Sequence, residues 1–344
     1  MSRTPPGPRT EGELEDALSE PTAGVVVAMG RLTGDLIVLG VGGKMGPSLA
    51  RMARRASDAA GARRRVIGVA RFSGGGEDHL RAAGVEAVRC DLLDPDAVAA
   101  LPDAPNVVFL AGTKFGTAGN EAATWATNSY LPGVVARRYR GSRIVALSTG
   151  NVYGLAPVAG GGSREADPPR PAGEYAMSCL GRERVFEHFS RTLGTPVALV
   201  RLNYACDLRY GVLVDLARKV LAGESIDLGM GHFNTIWQGD ANAMTLRAFD
   251  HAAAPPWVAN VTGPERLSVR AVCERLGALL GRPARFTGAE APTALLADAR
   301  RGLEALGPPR VPADQLIEWV AGWVAGGGRS LGKPTKFESR DGTF

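Results

Sequence analysis

The 344 residues are 45% hydrophobic and 22% charged, a balance that lets a globular chain build core and surface without metals or disulfides. A net charge of +5 is modest for this length. The arginine groups Arg51, Arg54, Arg55 and Arg63, Arg64, Arg65 have no interleaved aromatics, so they read as solvated helix faces and predict no nucleic-acid partner.

Residues 1–10 are polar and proline-rich; they read as disordered and not as a secretory signal. Short helical patterns cover 13–19 and 21–32, with Ser19 and Pro21 where a cap and a first turn fall. The apolar run 25–29 is too short to span a bilayer. Strands are predicted over 35–39, 65–70, 87–89, 106–110, 143–147 and 196–201, and helices over 46–59, 124–139 and 174–193. Short apolar strands alternating with amphipathic helices imply an α/β fold, a doubly wound parallel sheet of Rossmann type. Beyond residue 202 a helix over 211–221 precedes a possible strand at 233–237, a helix at 240–251 and a strand at 257–261. Ser268 caps a helix predicted to 280, and helical patterns at 291–306 and 312–325 complete a smaller, mostly helical substrate lobe. The tail, 329–344, has no clear period and reads as an arm on a dimer partner or as disorder, with Phe337 and Phe344 favouring docking. The expected units are an N-terminal extension (1–32), a dinucleotide-binding domain (33–201, with a returning segment near 231–261), a substrate lobe (202–230 and 262–328) and the tail.

Cys90, Cys179, Cys206 and Cys273 stand far apart, which argues against a zinc site or a disulfide framework and fits a reducing, cytoplasmic setting. His79, His188, His232 and His251 are scattered without metal-ligand spacing, although His232 begins a segment expected near the substrate pocket.

The first strand ends in Gly40-Val41-Gly42-Gly43-Lys44-Met45-Gly46 and a helix follows at once. Glycines there permit the tight turn, the approach of backbone to a pyrophosphate, and close packing of helix on strand. The free N–H groups of the new helix then face the phosphates. The second strand ends in Ala70-Arg71, with no carboxylate for the adenosine ribose hydroxyls. Arg71 can meet a 2′-phosphate and Lys44 adds positive charge, so NADP(H) is favoured over NAD(H).

From residue 36 to residue 323 the chain resembles the extended short-chain dehydrogenases/reductases, which include the NAD-dependent epimerase/dehydratases of nucleotide sugars. Gly40, Gly43 and Gly46 match G-x-x-G-x-x-G, and Cys90-Asp91-Leu92 matches the strand-three motif at adenine. Leu110-Ala111-Gly112-Thr113-Lys114 matches the segment along the cofactor, and Asn128 the Asn of the next helix. Ser148-Thr149-Gly150-Asn151-Val152-Tyr153-Gly154 resembles the strand-five motif, which makes Thr149 the catalytic hydroxyl. Val200-Arg201-Leu202-Asn203 resembles the segment beside nicotinamide and substrate. The resemblance thus implies cofactor contacts from Gly42, Met45 and Leu202 as well, substrate contacts from Asn151, Asn203 and Tyr204, a small-molecule substrate, and a homodimer. Trp237 and Asp240 look like its late motif, where a structural role is expected.

The family's Y-x-x-x-K reads Tyr175-Ala-Met-Ser-Cys179, with Glu183 keeping the register. In the family the Lys favours the phenolate of the Tyr, which exchanges the substrate proton. Three readings follow from its loss. Another cation replaces it, with Lys114 the best candidate and Arg182 a turn further away. Or the chain binds cofactor without catalysis, as a sensor or scaffold. Or Cys179 has chemistry of its own. The expected activity is hydride transfer at a carbinol or carbonyl carbon.

Overall fold

The computed structural model describes residues 6–114, 116 and 119–343. Thr10 opens helix α1 (Glu11–Leu18) with a reciprocal cap: its hydroxyl accepts from the Glu13 amide, and the Glu13 carboxylate accepts from the Thr10 amide. Leu14 and Leu18, one turn apart, bury against the C-terminal lobe, and Gly7 lies against the Trp319 ring. Residues 7–10 are therefore packed, contrary to the disorder expected for 1–10; residues 1–5 lie outside the described residues. Helix α2 (Ala23–Arg31) is capped by Thr22, whose hydroxyl accepts from the Val25 amide at 3.1 Å. The expected cap at Ser19 is corrected: Ser19 closes α1 and donates to the Glu15 carbonyl at 2.7 Å.

The alternating core follows. It runs β1 (Leu36–Leu39), α3 (Gly46–Ala59), β2 (Val66–Ala70), α4 (Glu77–Ala82), β3 (Glu86–Arg89), α5 (Pro95–Ala99) and β4 (Asn106–Phe109). It continues through α6 (Glu121–Trp125), α7 (Leu131–Arg138), β5 (Arg143–Thr149), α8 (Gly173–Leu193) and β6 (Val197–Leu202). Then come α9 (Val212–Ala222), α10 (Gln238–Arg247) and β7 (Trp257–Val261), which returns to the sheet, and finally α11 (Val269–Leu280), α12 (Arg300–Leu306) and α13 (Ala313–Ala325). All seven strands pair in parallel in the order β7-β6-β5-β4-β1-β2-β3. Every residue of β1 and β4 is buried between two helical layers, including Asn106, whose Nδ2 donates to the Thr33 carbonyl at 2.8 Å. The winding reverses between β1 and β4, so a crevice opens beyond their carboxyl ends. One apolar layer joins the sheet to α2, α3 and α10, a second joins it to α7 and α8, and a third gathers α9, α11 and α13 around Phe233 and Trp237.

The helix expected over 124–139 is three pieces: α6, a π-turn at Ala126–Tyr130, and α7. Pro132 has no N–H, so the Asn128 carbonyl lacks its helical partner and takes one from the Arg182 guanidinium at 3.4 Å. The helical pattern at 291–306 holds only from Arg300. Thr293–Ala294 instead pairs antiparallel with Ala156–Pro157, a tertiary pairing that overrides the local period. The strand near 233–237 is two short ladders, one from His232–Phe233 to Leu267–Ser268 and one from Ile236–Trp237 to Ala205–Cys206. Asp240 accepts from Arg310 Nε at 3.1 Å and from the Val311 amide at 3.0 Å, tying α10 to the segment before α13.

The arginine groups are structural ties. Arg51 pairs with Asp16, Arg55 with Glu20, and Arg65 with Asp35 at 2.7 Å. Arg64 is buried and donates to the Met29 and Leu32 carbonyls, each at 2.5 Å. The tail folds back on its own chain. Thr335 donates from amide and hydroxyl to Asp215 at 2.7 and 2.6 Å, Lys219 pairs with Glu338, and Phe337 is fully buried beside Phe233. The described part of the tail is therefore ordered against its own chain. No helix among the described residues is long and apolar enough to cross a membrane.

Candidate active site

The glycine loop is shaped by contacts that exclude side chains. Gly40 has φ +88°, and a Cβ there would stand 2.6 Å from the Ala111 nitrogen. A Cβ on Gly46 would collide with the Val41 carbonyl, so α3 sits directly on the loop. Gly43 meets only the Gly40 carbonyl, at 3.4 Å, and its open side faces the crevice. No side chain caps the N-terminus of α3, which leaves its first amides available.

Two cavities meet over Gly42, Gly43 and Gly112. One, about 670 Å³, is lined by Gly40, Arg71, Asp91, Leu92, Leu110 and Ala111. The other, about 610 Å³, is lined by Met45, Lys114, Thr149, Asn151, Tyr175 and Leu202. Asn203, Tyr204 and Lys44 line this second cavity too. The bare glycine cradle, the helix amides and two connected chambers fit a dinucleotide lying across the loop with a substrate at one end.

Lys44 is a correction. In place of adding charge toward a 2′-phosphate, its side chain leaves the loop on the opposite side from Arg71. Its Nζ donates to the Ala205 carbonyl at 3.0 Å and lies 3.8 Å from the Tyr210 ring centroid. Asn128 is likewise not exposed to either cavity. It is fully buried; its Oδ1 accepts from the Thr113 amide at 2.9 Å and from Arg182 at 2.8 Å, and its Nδ2 donates to the Thr113 carbonyl and Ser178 Oγ. It fixes the cofactor-side segment from behind. Arg182 completes this support by donating to the Leu147 carbonyl at 2.7 Å, its head so close under Gly112 that a Cβ there would lie 2.6 Å away.

Thr149 ends β5 and Tyr175 stands on the first turn of α8, and both line the second cavity, with the Thr149 hydroxyl accepting from the Asn151 amide at 3.2 Å. The Tyr175 phenol is pushed well above its ordinary range, by burial first and by the neighbouring Cys179 second, while Arg182 and Thr149 oppose the shift. Cys179 takes the place expected of a Lys one turn along. It is fully buried in a small cluster with Val152 and Tyr153, does not line the cavity, and its thiol is raised by burial. Cys179 is absent from the cavity lining, and burial disfavours the thiolate that a nucleophile needs. Lys114 Nζ lies 5.9 Å from the Tyr175 ring centroid and 5.9 Å from that of Tyr204. Burial, and then the Lys44 charge, lower its pKa to about 8.

Behind the pair lies a buried polar chain. Ser148 donates to Glu183 at 2.5 Å, Arg201 forks onto Glu183 at 2.6 to 3.2 Å, and Arg201 also donates to the Tyr153 hydroxyl at 2.6 Å. Tyr153 donates onward to Asn260 at 2.8 Å. This network holds β5, α8, β6 and β7 in one register.

On the substrate side, Asn203 is 2% exposed and its Nδ2 has no hydrogen-bond partner among the described residues. Gly150 is bare to admit it: a Cβ would fall 3.1 Å from Asn203 Oδ1. Tyr204 adopts φ +47°, which turns a bulky side chain at the cavity wall. His232 lines neither cavity. Sequence reasoning missed Arg209, Tyr210, Leu331, Lys333 and Thr335, all of which line the second cavity. Phe337 and Phe344 are the signals in the sequence that the tail docks; Phe337 is buried, and Phe344 lies outside the described residues.

This arrangement defines a dinucleotide-binding α/β protein of the short-chain dehydrogenase/reductase type. The profile of the NAD dependent epimerase/dehydratase family matches residues 36–231, and the chain belongs to that family. A comparison with curated protein sequences finds no match. Among solved structures, the chain is similar to MoeE5 in complex with UDP-glucose and NAD, at 21% identity and TM-score 0.69, over 85% of this chain and 98% of that one. It is similar to a mutant UDP-glucuronic acid 4-epimerase from Bacillus cereus at 17% identity and TM-score 0.70, over 85% and 99%. It is also similar to DesIV, a dTDP-glucose 4,6-dehydratase from Streptomyces venezuelae, at 21% identity and TM-score 0.70, over 85% and 97%.

Proposed function

We propose that the chain is an NAD(P)-dependent oxidoreductase or epimerase/dehydratase acting at a carbinol or carbonyl carbon of a small polar or sugar-like substrate. The observation that carries this reading is the pairing of Thr149 and Tyr175 on the wall of one cavity that is continuous with the glycine-loop groove. A bound nicotinamide supplies the hydride donor or acceptor at that junction. The protein's own groups manage the proton. With its pKa raised by burial, Tyr175 is a neutral phenol at neutral pH, suited to donate a proton to a substrate oxygen that Thr149 also holds. That favours the reductive direction. In the oxidative direction the phenolate needs a cation, and Lys114 across the cavity, with Arg182 behind Gly112, is placed to provide it. The sugar nucleotides bound in the similar structures support a sugar-like substrate. Tyr175→Phe tests the reading: turnover falls by about a hundredfold or more, and an unchanged rate refutes it.

We infer NADP(H) over NAD(H). Arg71 is exposed on the rim of the first cavity and β2 ends without a carboxylate, although the similar structures carry NAD. We read residues 33–201 with the returning β7 as the cofactor domain. A homodimer would cover the exposed apolar residues Trp125 and Tyr130, which are 39% and 56% exposed.

One observation favours a second reading, a non-catalytic binding protein. A buried thiol packed beside Tyr175 stands where the family's cation belongs.

A further inference from the structure

The second cavity has an unusual charge pattern. Lys44 and Lys114, both half-buried, line the same chamber from the glycine loop and from the segment after β4. Lys333 joins its wall from the tail. The carboxylates nearby are engaged elsewhere. Glu15 pairs with Arg209 at 2.6 Å, and Asp207 accepts from the Arg209 amide at 2.6 Å and guanidinium at 3.1 Å. Asp215 is held by Thr335. Among the described residues, none comes within ion-pair distance of Lys44, which rests on a carbonyl and the Tyr210 ring.

Two ammonium groups brought into one chamber walled by Tyr175, Tyr204 and Tyr210 repel each other and lose hydration. Burial, before any other effect, holds both near 8, and the Lys44 charge adds to the lowering at Lys114. A negative group entering between them reverses both penalties. The position is specific. Lys44 follows Gly43, the last open glycine of the loop, and Lys114 stands beside the Tyr175 ring, so the negative group sits next to the reacting carbon and away from the adenosine end.

We propose that Lys44 and Lys114 form a binding site for an anionic group of the substrate, a carboxylate or a phosphate ester, beside the Thr149–Tyr175 pair. This rests on reading the second cavity as the substrate chamber. The substrate is then a hydroxy- or oxo-compound with a negative charge a few bonds from the carbon that exchanges hydride.

Isothermal titration of malonate, and separately of inorganic phosphate, into the full chain saturated with NADP+ or NAD+, whichever binds tighter, tests this. At least one anion binds at a single site, and the tighter of the two identifies the group. Lys44→Met and Lys114→Met each weaken it by about tenfold or more, as loss of one charge-assisted contact predicts, while Lys44→Arg retains it. Tyr175→Phe keeps the anion affinity, so failure of the proton-transfer reading has a separate signature. Binding of neither anion, or equal binding by the Met variants, overturns the proposal. So does a Lys44→Met variant that loses dinucleotide affinity and keeps anion affinity, because Lys44 then serves the cofactor pyrophosphate.

Discussion

Replacing Lys44 by Met removes a half-buried charge and roughly keeps the volume of the side chain. Burial lowers the Lys44 pKa from 10.5 to about 8. In the unfolded chain the ordinary value returns, so at neutral pH the charged form costs the folded state about 3 kcal/mol. Met forfeits the hydrogen bond to the Ala205 carbonyl, worth about 1 kcal/mol, which leaves a gain of about 2 kcal/mol. For a chain of this size that is a rise in Tm of about 4 °C. The pH dependence has a definite sign. A base whose folded pKa is lowered binds fewer protons folded than unfolded between about 8 and 10.5, so the wild type gains stability as pH rises through that window. Below pH 8 the full penalty is present. Differential scanning fluorimetry of both proteins from about pH 6.5 to about pH 10 measures the difference. The gap between them should be widest at the acid end and close toward the alkaline end. A Lys44→Met protein that melts lower than wild type at neutral pH refutes the reasoning, since Lys44 would then be a net stabilising contact.

Other outcomes follow from the same geometry. Arg71→Ala should weaken NADPH by about tenfold or more and leave NADH within about twofold, read by nucleotide fluorescence titration; equal effects on both would remove the 2′-phosphate role. Phe337→Ala opens a cavity in the lobe core and should cost about 3 kcal/mol or more in urea unfolding, while a surface-like loss under about 0.5 kcal/mol would mean that the tail is not docked. Cys179→Lys returns a cation to the turn after Tyr175. Activity that arises only in this variant would favour the non-catalytic reading of the native chain, and native activity that the added Lys leaves or lowers would favour the role given to Lys114.

The sheet is legible because its signals are local. β1 is an unbroken apolar run, β4 is apolar after Asn106, and Gly46 must be bare because of Val41, only five residues before it. The Thr149–Tyr175 pair is legible from motif spacing, and it meets across β5 and α8. What cannot be read depends on direction in space. Nothing in Gly43-Lys44-Met45 says that the lysine points away from Arg71; that follows from Tyr210 and the Ala205 carbonyl, far along the chain. Asn128 matches its motif, but its work as a clamp on Thr113 depends on Arg182 and on the turn that Pro132 interrupts. The tail has no period because it is held by single anchors, Thr335, Phe337 and Arg340, and not by a regular face.

The proton-transfer role of Tyr175 is tested most directly by the rate of nicotinamide oxidation by the full chain with a carbonyl compound that bears a carboxylate or phosphate, compared between wild type and Tyr175→Phe. The expected result is turnover in the wild type, lowered by about a hundredfold or more in the variant, with the affinity for dinucleotide unchanged. Equal rates in the two proteins would contradict it.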